Sequence, residues 1–153
     1  MVLNEDLPFH SAAPEVKQAF SGGFPQKLLL HPGHQLYKFT QYDLFRDGKA
    51  TAWWSSVEPM NNFDTGLEKL LERAEGPGRS ATEFARARNA VTHQWNSMSG
   101  LLLTSLISPV YAFVGRVAAQ PYDERSAYSN VVFIGGAVQL WIPNLTTSDI
   151  RKL

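Results

Sequence analysis

The feature that most constrains this chain is a helical block set between two groups of strand-like segments. Ser80-Ala81-Thr82-Glu83 is a capping box. Its serine oxygen accepts from the N–H three residues on, while the glutamate reaches back to the serine N–H. Phe84, Ala87, Val91, Trp95 and Met98 follow at spacings of three and four, one apolar stripe along a helix over 80–99. Asp64 can cap a shorter helix over 64–75, with Leu67, Leu70, Leu71 and Ala74 on one face and Gly76-Pro77-Gly78 ending it. Aromatic and β-branched alternation predicts strands at 35–41 and 51–57 before this block, and at 109–119, 130–135 and 137–142 after it. The apolar run Leu101–Ile107 reads as a helix end leading into the third of these strands. The order of strands, helices, strands predicts an α+β fold. Its mixed or antiparallel sheet should be split or curved around a cleft, with helices between the two strand groups.

Composition narrows the class of function. The chain has 153 residues, enough for a single domain with a real core. Fourteen basic and fourteen acidic side chains give a formal net charge of zero, which argues against electrostatic capture of nucleic acid or anionic lipid. Cysteine is absent, so disulfides, thiolate metal sites and thiol catalysis are excluded. Met1–His10 carries Glu5 and Asp6 but no basic segment, unlike a secretory signal. The most apolar stretch, Leu101–Ala119, is broken by Ser108-Pro109 and Arg116, unlike a membrane span. A soluble protein is expected, and the compartment is left open. Residues 1–33 are punctuated by Pro8, Pro14, Gly22-Gly23, Pro25 and Pro32-Gly33. They read as an arm over a core at 34–145, with one short helix allowed at 14–20.

Two segments stand out chemically. In Trp53-Trp54-Ser55-Ser56, strand alternation sends the two tryptophans to opposite faces. One can stack on a planar ligand while a serine hydrogen-bonds its sugar; both can equally be core. In Gly135-Gly136-Ala137-Val138-Gln139-Leu140-Trp141-Ile142, Gln139 and Trp141 share one face and Val138, Leu140 and Ile142 the other, buried one. Glycines ahead of a strand permit close approach of a ligand, although a surface glutamine beside a half-buried tryptophan fits the same pattern. His31 and His34 in His31-Pro32-Gly33-His34 could share a metal. No third ligand is evident, the turn itself explains the spacing, and no metal is expected.

With Leu36-Tyr37-Lys38 on an early strand, Trp54-Ser55-Ser56 on the next, helices, and Gly135–Ile142 late, the order of elements resembles the ADP-ribosyltransferase fold. The glycine-rich approach to Gln139, where most of that family has glutamate, is similar to NAD glycohydrolase toxins of the tuberculosis necrotizing toxin type. The resemblance implies NAD as substrate and cleavage of its nicotinamide–ribose bond, by hydrolysis or by transfer. It implies Gln139 at the catalytic position, with Glu124 in the preceding polar loop as the nearby carboxylate that could substitute. It implies Tyr37, Lys38, Trp54, Ser55, Ser56 and Arg116 as dinucleotide contacts. Lysine stands at 38 where the family has arginine or histidine, so a bidentate phosphate fork is lost. The loop bearing Tyr122, Glu124 and Tyr128 falls where family members meet a protein target, and an immunity protein is a further partner it implies. Cleavage develops positive charge on the ribose, which a carboxylate stabilises better than an amide, so hydrolysis is the safer expectation. Two other readings stay open. One is a catalytically inactive ligand- or protein-binding module of the same fold. The other is a structural or assembly subunit that embraces a neighbour with residues 1–33.

Overall fold

The computed structural model describes residues 1–20, 25–40, 50–60, 100–116, 118, 120–121, 132–133 and 138–153. The expected helices over 64–75 and 80–99, the glycine pair at 135–136, and Tyr122, Glu124 and Tyr128 lie outside the described residues. Within them the fold is mostly antiparallel sheet, with a 3-10 turn at Phe9–Ser11 and a short helix α1 at Pro14–Ala19. Pro14 opens α1 at its first position, where its missing N–H costs nothing. No described helix is long and apolar enough to cross a membrane.

Seven strands form the main sheet: β1 Gln26–Leu30, β2 Gln35–Thr40, β3 Trp53–Ser56, β4 Gly100–Leu106, β5 Val110–Arg116, β8 Val138–Trp141 and β9 Ile150–Lys152. Their spatial order is β1-β5-β8-β3-β2-β4-β9, and β6 Gln120–Pro121 pairs with β7 Val132–Phe133 separately. Two expectations are corrected. The run Leu101–Ile107, read as a helix end, is strand β4, because it is hydrogen-bonded by β2 on one side and β9 on the other. A short apolar run does not distinguish the two states by itself. Residues 26–30, read as arm, are strand β1, paired along their whole length with β5.

One register runs through four of these strands. Gln26 faces Val114, Leu30 faces Val110, Gln35 faces Ser105 and Thr40 faces Gly100. Segments 26–40 and 100–116 are therefore a single antiparallel ribbon, kinked at 31–34 and 107–109. Gly33 N–H donates to the Leu106 carbonyl at 2.8 Å, and Leu106 N–H to that of His34 at 2.9 Å. Gly33 sits at φ 91 behind Pro32, the residue pair a type II turn requires. The kink is obligatory. β5 and β4 stand four strand positions apart, about 19 Å in a flat sheet, whereas the chain from Leu106 to Val110 reaches at most about 15 Å. The sheet turns back on itself, and β3 bridges the halves: Trp53 and Trp54 pair with β8, Ser55 and Ser56 with β2.

The inner face of this bend holds the core, with Leu36, Trp54, Leu102, Leu106, Val110, Ala112, Val114, Val138 and Leu140 buried together. Ile142, Leu145 and Ile150 close it. Alternation leaves a second row, Phe113, Trp141 and Trp53, on the outer face of adjacent strands. That row is covered by the N-terminal segment.

Candidate functional site

The outer face carries the residues of chemical interest. Gly115 faces Gln139 across β5 and β8, and Ser55 faces Tyr37 across β3 and β2. Trp53 faces Trp141 and Trp54 faces Leu140, where the pairing of β3 with β8 ends, and alternation puts Ser55 on the face of β3 that carries Trp53, as Gln139 is on that of Trp141. Gln139, Ser55 and Tyr37 thus share one face of the sheet. The neighbouring aromatic row has Phe113 and Trp141 at 5.4 Å between ring centroids, and Trp141 and Trp53 at 6.3 Å. An amide, a hydroxyl and a phenol beside apolar aromatic walls make a common kind of small-molecule site.

The N-terminal segment forms the remaining wall. Phe9 packs on Phe113 at 5.3 Å and Trp141 at 5.9 Å, and Phe20 packs on Trp53 at 5.5 Å. Phe20 fits because residue 115 has no side chain: a Cβ there would lie 2.8 Å from the Phe20 ring. Lys27 Nζ donates to the carbonyls of Glu5 and Leu7 while lying 5.2 Å from the centre of the Tyr111 ring. At the end of α1, the Ala19 carbonyl accepts two hydrogen bonds, from Ala118 N–H at 2.8 Å and from Gln139 Nε2 at 3.0 Å. Gln139 is only 9% exposed. Its Oε1 and second N–H have no hydrogen-bond partner among the described residues. A buried carboxamide can make about four hydrogen bonds; this one makes a single bond among the described residues.

The other sequence-derived candidates lie elsewhere. Lys38, Trp54 and Ser56 sit on the inner side of β2 and β3, because each is one residue away from Tyr37 or Ser55. Trp54 and Ser56 are 2% and 3% exposed. Lys38 Nζ lies 5.1 Å from the Trp54 ring centre and donates to Thr51 Oγ1 and to the Trp53 carbonyl. Burial pushes the Lys38 amine down to about 8. Ser56 Oγ is hydrogen-bonded to His34 Nε2 at 2.9 Å. Burial, with His31 nearby, holds the His34 ring below its ordinary value, against the opposing pull of Glu58. Arg116 ends β5 opposite Val138, exposed. Glu124 falls outside the described residues. No group of three or more histidine or acidic residues that could hold a metal occurs among those described.

Sequence reasoning missed the contributions of Phe9, Ala19, Phe20 and Phe113. Phe113 was legible in principle from the alternation of β5. The arm residues carry no period, and only their docking reveals them.

No protein-family model and no curated protein matches this chain. Among solved structures it is similar to that of Tne2 in complex with Tni2, with a TM-score of 0.52 at 9% identity, covering 84% of this chain and 87% of that one. The chain has a Tne2-like fold. It also matches the structure of Tse6 in complex with Tsi6, with a TM-score of 0.45 at 17% identity, over 94% of this chain and 85% of the other.

Proposed function

We propose that this chain is an NAD-consuming, toxin- or effector-like enzyme that cleaves the nicotinamide–ribose bond, with water as the preferred acceptor. The reading takes the bent sheet as an ADP-ribosyltransferase-like scaffold, in line with the element order of the sequence. The observation that carries it is the buried amide of Gln139, bonded only to Ala19 among the described residues, on one face with Ser55, Tyr37, Trp53 and Trp141. An amide with an acceptor and a donor left over among the described residues matches two neighbouring ribose hydroxyls, and the indoles supply a flat surface for the nicotinamide ring.

In the reaction the bond from the ribose anomeric carbon to the pyridinium nitrogen breaks, and its electron pair leaves with neutral nicotinamide. The positive charge left on the ribose is quenched by water, which gives ADP-ribose and releases one proton. Gln139 orients the sugar in this scheme. Glu124 is proposed as the carboxylate that answers the developing charge. Lys38, Trp54 and Ser56 support β2 and β3 from behind, and Arg116 stands at the strand end where a phosphate could be met. Tne2 was solved bound to Tni2, which supports a protein partner, in the manner of an immunity protein, for this chain as well.

A binding module is the second reading, favoured by the neutral residue at 139 and its bond to Ala19. Nicotinamide release from NAD separates the two. The enzyme reading expects turnover that Gln139→Ala abolishes while the variant stays folded. NAD that binds and is recovered intact favours the module, and no binding at millimolar NAD refutes the enzyme and a dinucleotide-binding module alike.

A further inference from the structure

Gln139 is the residue on which the proposed chemistry turns, yet nothing on its own strand fixes which end of its amide faces the ligand. Oxygen and nitrogen are close to the same size, so packing alone does not choose. The choice is made from 120 residues away in sequence, by the main-chain carbonyl of Ala19.

That carbonyl is a pure acceptor. It is held from behind by Ala118 N–H at 2.8 Å, and its second lone pair meets Gln139 Nε2 at 3.0 Å. Turning the amide over would set two carbonyl oxygens against each other and remove the one hydrogen bond the side chain makes among the described residues. The amide is therefore pinned with nitrogen toward α1. Its oxygen and its second N–H, unpartnered among the described residues on a side chain 9% exposed, are presented away from the arm. Ala19 is itself held in place by its neighbour. Phe20 is 3% exposed, stacks on Trp53 at 5.5 Å, and occupies the space that glycine leaves at 115, the residue directly across from Gln139.

We infer that the N-terminal segment is a working part of the site: the Ala19 carbonyl, seated by Phe20 against Gly115, is the positioning group that aims the Gln139 amide oxygen and second N–H at the sugar hydroxyls of the substrate. The inference rests on the NAD-cleaving reading above. It adds that residues 9–20 orient the reacting group and do more than cover the sheet.

Two substitutions disturb the seat of Ala19 and leave the Gln139 side chain in the sequence; Phe20→Ala does so without altering either strand beside it. Gly115→Ala drives a Cβ into the Phe20 ring, and Phe20→Ala removes the ring that seats the segment. Both are followed by steady-state NAD cleavage and by the side-chain amide resonance of Gln139, assigned through its loss in Gln139→Ala. In the wild-type protein that amide should be protected from solvent exchange. In each folded variant the protection should fall and kcat should drop by roughly tenfold or more, the scale of a small misplacement in a site, with KM within about twofold. A resonance that stays protected, or a kcat that stays within about twofold after protection is lost, overturns the inference. So does a Gly115→Ala effect confined to KM, which would mean simple blockage of the ligand. Absence of turnover in the wild-type protein sinks the NAD-cleaving reading and this inference together, whereas turnover untouched by either substitution sinks only this one.

Discussion

Lys38 is the most exacting test of the electrostatics of this fold. Its Nζ sits between Trp54, Thr51 and the Trp53 carbonyl on the inner side of β2, and burial pushes its amine from 10.5 down to about 8. In the unfolded chain the same amine keeps its ordinary value. Between these two values the unfolded state binds more protons than the native state, so stability rises with pH there. Below about 8 both states are charged, and the fold carries the full cost of burying an ammonium. Working the linkage from 10.5 and 8, the native state gains about 2 kcal/mol between pH 6.5 and pH 9.5 from this one group. Lys38→Met keeps the length of the stem and removes the titration. Urea unfolding of both proteins at pH 6.5, 8 and 9.5 gives the difference in stability at each pH, which cancels every other titrating group. The gap should change by about 2 kcal/mol across that range in favour of the wild type. Parallel stability curves, with a gap constant to within a few tenths of a kcal/mol, would refute the reasoning.

The same logic, with the same sign in a lower pH window, applies to His34, whose ring is held below its ordinary value mainly by burial beside Ser56. Its contribution is present above about pH 6.5 and lost as pH falls through the lowered native value, so the wild type should lose more stability than His34→Gln between pH 7 and pH 5. Asn4 ties the chain start to strand β5 and to the 143–144 turn. Its Nδ2 donates to the carbonyls of Tyr111 and Pro143, its Oδ1 accepts from Asn144, and its backbone lies at φ 64. Asn4→Ala should cost about 3 kcal/mol in urea unfolding, from unpaired carbonyls and a strained backbone. Asn4→Gly should recover about 1 kcal/mol of that by removing only the strain; equal losses in the two variants would show that the left-handed backbone contributes nothing.

Alternation along the chain already determined the two faces of β2, β3 and β8. Tyr37 against Lys38, Ser55 against Trp54, and Gln139 against Leu140 are separated by one residue each, and the period of a strand leaves no other arrangement. The start of α1 at Pro14 and the turn at Pro32-Gly33 were legible for the same local reason, since both residues restrict their own backbone. What periodicity cannot say is what lies on a face. Gln139 reads as a side chain open to a ligand; the structure instead bonds it to the Ala19 carbonyl and leaves only the rest of its amide without a partner among the described residues. Nor could local pattern make Leu101–Ile107 a strand or draw β1 into the sheet. Both depend on a ribbon that joins 26–40 to 100–116 through pairs 60 or more residues apart. Strand pairing is satisfied by a partner, and only the tertiary fold supplies one: that is why the faces were written in the sequence while their neighbours were not.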